Sequence, residues 1–310
     1  MISMTRSSIT AWITVFMIQS FLPARSFLQV LPLLQAQSLR FGGLSSQQNK
    51  MAHDFSSEVT FSDDTSEGCS IHYAYCHGFL SSENSFKGTF LRDVFDKSGV
   101  QLELLNLNGG PDASTLTYSG ALDAVAAHHR RLQARSPGGR PVKLRLVGSS
   151  LGGYVAARYA ELHPEQVDRL LLLCPGFDLA ARWPALYGRA ALARWEAEGG
   201  RDFVQQQDGR RVRVPFGFVA DGRAQPAYPA YGCPAAIVHG LRDEVVPPEV
   251  SMEMFRRRGN LTSVYLVDDI HDLTSEASLG LTAKLAREFF GLPPAAAAAA
   301  APAEEEGAAG

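Results

Sequence analysis

Carboxylates are missing from the first 53 positions of this 310-residue chain; the first is Asp54. The acid-free stretch carries Arg6, Arg25, Arg40 and Lys50, several serines, and one apolar run over 11–22. That run is too short and too polar-flanked for a membrane span. It resembles a secretory h-region with small residues, Ala24 and Ser26, behind it. The Ser/Gln-rich remainder up to about Met51 is like an organelle transit peptide, and the two together are similar to the two-part leaders of algal secondary plastids. The expectation is a removable leader over 1–53, directed to a plastid or mitochondrion; if Met51 is the true start, the protein is expected in the cytoplasm.

Cysteine is scarce. Cys69, Cys76, Cys174 and Cys233 form no CxxC pair and no metal-ligand spacing, so they read as isolated thiols and not as a disulfide framework, with Cys174 in a core strand. A basic surplus is absent too: 29 Lys and Arg face 32 Asp and Glu, for a net charge of −3. With no basic stripe, nucleic acid is not an expected partner. No internal repeat is visible. Over 293–310 an alanine run with three glutamates lacks apolar periodicity and reads as a disordered tail.

Hydrophobic residues make up 45% of the chain and charged residues 20%, enough for one large core. Over 54–292, strand and helix patterns alternate. Strands are expected at 71–76, 101–107, 142–147, 167–174, 235–238 and 261–267. Helices are expected at 87–97, 151–162, 248–257 and 278–290, and on the face formed by Tyr118, Leu122, Val125 and Leu132. The run from Leu170 to Cys174 is continuously apolar, as in parallel strands buried on both faces. The alternation predicts an α/β fold with a mostly parallel sheet and helices on both sides. One segment, about 178–231, breaks the rhythm with a Trp/Ala/Arg-rich helix and a hairpin signal at Asp208-Gly209, and is read as a small cap insertion.

Gly148-Ser149-Ser150-Leu151-Gly152 is a G-x-S-x-G set between a strand and a helix. That setting predicts a tight turn holding Ser150 Oγ clear of the sheet. A serine hydroxyl needs a base, and the order Ser, Asp/Glu, His asks for it late in the chain. His271, after the last strand, fits that place. His163 is expected at the surface and His239 as a packed, loop-bracing residue. Asp243, past the strand 235–238, is the expected acid, with Glu244, Asp268 and Asp269 as nearby alternatives. An oxyanion hole needs two N–H groups; Leu151 and Phe79 are the candidates, with His77 bracing the loop. Trp183 and Phe216 in the cap are expected to line an acyl site. The His128-His129-Arg130-Arg131 run is read as a solvated helix face and not a metal site. No cofactor or metal is expected.

The segments Tyr75-Cys76-His77-Gly78-Phe79-Leu80-Ser81-Ser82 and Gly148-Ser149-Ser150-Leu151-Gly152-Gly153-Tyr154, followed by Asp243 and His271, resemble the YqiA-type esterases of the α/β-hydrolase superfamily. The resemblance runs from about 72 to 290. It implies the α/β-hydrolase fold and cofactor-free hydrolysis of short to medium acyl esters or thioesters. The longer cap is a departure from compact members and leaves acyl preference open. A ligand-binding protein on the same scaffold, with negligible turnover, is the competing reading; an acyltransferase or lyase variant is a third.

Overall fold

The computed structural model describes residues 68–205 and 209–294. The expected leader, most of the expected tail and Asp208 of the hairpin signal lie outside the described residues. Among the described residues no helix is long and apolar enough to cross a membrane.

Six strands form one sheet: β1 (Ser70–Cys76), β2 (Leu102–Leu105), β3 (Val142–Ser149), β4 (Val167–Leu173), β7 (Ala235–Gly240) and β8 (Thr262–Val267), in the order β2-β1-β3-β4-β7-β8. Every neighbouring pair in it is parallel. The helices around it are α1 (Phe86–Asp96), α2 (Tyr118–Arg135), α3 (Leu151–Leu162), α7 (Glu249–Arg258) and α8 (Glu276–Phe290).

Side chains alternate between the faces of a strand, and here both faces are covered. Leu170 and Leu172 of β4 join a core with α2 and α3, while Leu171 and Leu173 join a second core with α1 and α8. Ala235 and Ile237 of β7 face the first core; Ala236 and Val238 face the second. Burial on both sides is why the runs 170–173 and 235–238 are apolar at every position.

Charge enters the sheet where it is paired. Arg145 of β3 meets Asp168 of β4 at 2.6 Å with both side chains buried. Arg169 donates to Phe289 O at 2.8 Å, and Arg145 donates to Phe290 O. These guanidinium groups satisfy carbonyls at the end of α8, where a helix leaves acceptors unpaired and favours cations.

The cap differs from expectation in one detail. The single helix divides at Gly188, whose φ of 82° suits glycine, giving α4 (Leu179–Tyr187) and α5 (Arg189–Ala197). An antiparallel pair, β5 (Gly200–Val204) and β6 (Arg211–Pro215), follows, then α6 (Gly217–Arg223). Asp221 of α6 accepts from Ser119 N and Ser119 Oγ, both at 2.7 Å, at the start of α2.

One helix-face reading is corrected. His128 and His129 are buried, 4% and 7% exposed; only Arg130 and Arg131 face solvent. They stand three and four residues after the buried Val125, on the same helix face. His129 Nε2 pairs with Val142 O at 3.0 Å. Burial, with Arg131 adding to it, lowers the His128 pKa to about 4.

Candidate active site

The carboxyl ends of the strands carry the chemistry-bearing loops. The chain leaves β1 toward β2 and returns to β3 on the other side, so the crevice between β1 and β3 is the switch point where ligands bind in open α/β sheets. His77-Gly78 follows β1 and Ser150 follows β3.

Ser150 adopts φ 53°, ψ −119°, a conformation that costs on the order of 1–3 kcal/mol for a residue with a side chain. The surroundings enforce it. Ser150 N donates to Leu173 O at 2.9 Å, and Ser150 O accepts from Gly176 N at 2.8 Å and Gly153 N at 3.0 Å. A Cβ on Gly148 would lie 2.4 Å from Gly152 O, and one on Gly152 would lie 2.1 Å from Cys76 O. Both obstacles are backbone, so only glycine lets the turn close this tightly on β1.

Ser150 Oγ lies 3.0 Å from His271 Nε2, and His271 Nδ1 lies 2.6 Å from Asp243 Oδ2. The carboxylate can only accept, so Nδ1 carries the hydrogen and Nε2 accepts from the serine hydroxyl. A chain of this kind can take the serine proton as the oxygen attacks an electrophile.

Asp243 is 5% exposed and nonetheless well supplied with donors. Its Oδ1 accepts from Val245 N at 2.9 Å and Val246 N at 2.8 Å; its Oδ2 also lies 3.2 Å from His239 Nε2. Burial alone would push the carboxyl up, but the bonds from His239, His271 and Val246 hold it well below the usual carboxylate range. His239 is fully buried, as a bracing residue should be. Its Nδ1 meets Ser251 Oγ at 2.6 Å and its Nε2–H donates to Val246 O at 2.8 Å. Its contact with Asp243 was not anticipated, although the i,i+4 spacing was visible.

The alternative carboxylates are otherwise engaged. Glu244 is exposed. Asp268 pairs with Arg242 at 2.7 Å on the surface. Asp269 turns away from His271 to accept from Ser278 Oγ at 2.7 Å and Ser275 N at 3.0 Å. Burial raises its pKa, but these bonds win and lower it to about 2. Asp269 thus ties the His271 loop to the start of α8. Gly240, at the end of β7, completes the junction, since a Cβ there would meet Asp269 O and Ile270 O at 2.6 Å.

Gly78 brings the loop after β1 against the serine: a Cβ on it would lie 3.3 Å from Ser150 Cβ. Phe79 follows in that loop, and Leu151 opens α3, where an N–H has no acceptor within the helix. His77 braces the loop, accepting from Leu107 N through Nε2 at 3.0 Å and donating to Gly78 O through Nδ1 at 2.9 Å.

A cleft of about 610 Å³ opens over Ser150 and His271. Its wall is the loop after β1, the first turns of α1, and Asp272 and Thr274 beyond the histidine. Trp183 and Phe216 do not line it, which corrects their expected role. Trp183 is 1% exposed and packs on Phe79, Tyr187, Trp195 and Phe218 with ring centroids 5.5–5.9 Å apart. Phe216 lies against Trp195 and under Arg223. Among the described residues the cap's aromatic cluster meets the cleft at Phe79, which stacks on Phe218 at 4.9 Å. The cleft's own wall is mixed: Ser81, Asn84, Ser85, Thr89 and Thr274 stand with Lys87 and Asp272, beside Tyr75, Phe79 and Phe86. The sequence reading missed this wall, because nothing in the pattern says that α1 starts facing the serine.

Cys174, just after β4, is buried and free. Its Sγ lies with ligand atoms of Asp243 and His271 within 4.8 Å of one another. Burial first, and then the Asp243 charge, hold this thiol protonated, well above the usual range.

Among known proteins, the chain is 28% identical over 145 residues to a pimeloyl-[acyl-carrier protein] methyl ester esterase of Chromobacterium violaceum, covering 34% of this chain and 54% of that one. It is 25% identical over 179 residues to a monoacylglycerol lipase of Xenopus laevis, covering 55% of this chain and 48% of that one. The chain thus spans about half the length of the curated relatives it matches. Alpha/beta hydrolase domain-containing protein 10 from mouse shares the fold, with a TM-score of 0.58 at 22% identity, over 71% of this chain and 89% of that one. The family model described as the alpha/beta hydrolase family matches residues 75–302, and this chain belongs to that family.

Proposed function

We propose that the protein hydrolyses carboxylic esters, or thioesters, of short to medium acyl chains through an acyl-enzyme on Ser150. The observation that carries this reading is the hydrogen-bonded chain Ser150–His271–Asp243, at 3.0 Å and 2.6 Å, behind a serine in a strained turn. Ser150 Oγ attacks the carbonyl carbon while its proton passes to His271 Nε2. Asp243 holds the tautomer and stabilises the imidazolium without taking the proton. The Leu151 and Phe79 N–H groups receive the developing alkoxide. Collapse of the tetrahedral species returns the proton from His271 to the leaving oxygen or sulfur and leaves Ser150 acylated. Water, deprotonated by His271, then releases the acid and restores the serine. No cofactor enters any step.

The esterase and lipase relatives support this chemistry, as does the likeness of the segments at 75–82 and 148–154 to YqiA-type esterases. Phe79, Phe86 and the ring of Tyr75 give the cleft apolar surface on which an acyl chain can lie. Replacing Ser150 with Ala should lower kcat on p-nitrophenyl acetate by about 10⁴–10⁶-fold with the melting temperature preserved. Ser149→Ala should do far less. Equal losses at the two serines, or an active Ser150→Ala, would overturn the assignment.

A further inference from the structure

The cleft over Ser150 holds one ammonium. Lys87 is the second residue of α1 and lines the same cavity as Ser150 and His271. Its side chain is half-buried, and among the described residues no carboxylate lies within 4.0 Å of it and no hydrogen bond reaches it. The acidic groups acting on it from the facing loops are Asp272, Asp243 and Asp269, together with the Cys174 thiol. Two of these carboxylates are already satisfied: Asp243 by His271, His239, Val245 and Val246, and Asp269 by Ser275, Ser278 and Ile270. Asp272 lines the same cleft and is exposed to solvent.

A half-enclosed ammonium without an acceptor is costly. Burial outweighs its acidic surroundings and lowers its pKa. The cost is removed when an anion enters and pairs with it. The neighbouring groups suit such an anion: Ser81 and Asn84 line the same cleft with a hydroxyl and an amide that can donate, while the Ser85 and Thr89 hydroxyls are engaged with Tyr75 and with the carbonyls of Ser85 and Phe86. The opening of α1 adds unpaired N–H groups of the same sign. An apolar group laid against Lys87 would bury the charge further without pairing it.

Resting on the esterase reading, we propose that Lys87 is a specificity-determining residue that binds an anionic oxygen group, carboxylate or phosphate, on the ester substrate. The preferred substrate is then a small ester with a second, charged end, and not a neutral lipid. The pair is a partly desolvated, charge-assisted contact, of about 1.5 kcal/mol or roughly tenfold in kcat/KM.

The test uses charged and neutral esters of matched length, followed by acid release at constant pH. Monomethyl glutarate is set against methyl pentanoate, which places the charge on the acyl side. 4-Acetoxybutanoate is set against butyl acetate, which places it on the alcohol side; 2-acetoxyethyl phosphate tests the phosphate form. At least one charged ester should exceed its neutral partner in kcat/KM by about tenfold. The Lys87→Met variant should remove that preference, mainly through KM, and Lys87→Arg should keep most of it. Lys87→Gln repeats the test if the Met variant melts early. A charged-to-neutral ratio near one in the unmutated protein, or a ratio that survives both Lys87→Met and Lys87→Gln, overturns the proposal. Failure of the unmutated protein to turn over any of the esters, neutral ones included, overturns the esterase reading instead.

Discussion

Asp243 and its rivals show how much a single residue's surroundings decide. Four carboxylates, Asp243, Glu244, Asp268 and Asp269, stand close to the histidine in sequence or loop order; position after a strand end favours Asp243 and leaves the other three as alternatives. The structure separates them by their donors: Asp243 accepts from His271, Asp269 from Ser275 and Ser278, and Asp268 from Arg242, while Glu244 is exposed. Asp243→Asn should therefore lower kcat on a short ester by about 10⁴-fold through the wrong histidine tautomer, while Asp268→Asn and Glu244→Gln stay within about twofold. A sensitive Asp268 with a silent Asp243 would reverse the assignment. Ser150, His271 and Asp243 were legible because order along the chain and position after strand ends are sequence properties. The contact of His239 with the acid and the lysine in the cleft were not, because both depend on which loops meet in space. The His128-His129 pair was misread for a simpler reason: polarity outweighed a helical spacing that placed both residues on the face of Val125.

Among the elements, the turn between β3 and α3 is the least forgiving. Gly152 packs against the carbonyls of Cys76 and His77, at 2.1 Å and 2.5 Å from where a Cβ would stand. Neither can swing aside, since both belong to the chain leaving β1. Gly152→Ala should destabilise the fold by about 2–3 kcal/mol, the usual range for overpacking, and urea unfolding would measure it. An unchanged midpoint with full activity would mean that the turn tolerates opening. The cap behaves differently. Its aromatic residues pack on one another and on Phe79, and Trp183 and Phe216 do not themselves line the cleft over Ser150. Trp183→Ala should cost about 3–5 kcal/mol as a cavity in that cluster. It should lower rates on acetyl and hexanoyl esters in parallel. A selective loss on the longer ester would return Trp183 to the acyl site.

At the scale of the whole molecule, the parallel sheet was legible from strand–helix alternation and from runs that are apolar at every position, which only two-sided burial requires. Its stability carries a pH dependence set by buried histidine. His128 titrates near 4 in the folded chain against 6.5 when free. Between those values the unfolded chain binds the proton and the folded chain does not, so stability falls as pH falls through that window. From pH 7 to 4.5 this one residue should contribute a loss of about 2–3 kcal/mol. His72 and His77, whose pKa values are also lowered, chiefly by burial, add to it in the same direction. Denaturant midpoints of His128→Gln should fall less steeply with acid than those of the unmutated protein; parallel curves would contradict this. The central claim, that this hydrolase fold acts through a serine made nucleophilic by His271, is tested most directly by intact-mass spectrometry after treatment with a fluorophosphonate. The account predicts one adduct per chain, located on Ser150, formed quickly in the unmutated protein and very slowly in His271→Ala. An adduct on Ser149, or none at all in a correctly folded protein, would contradict it.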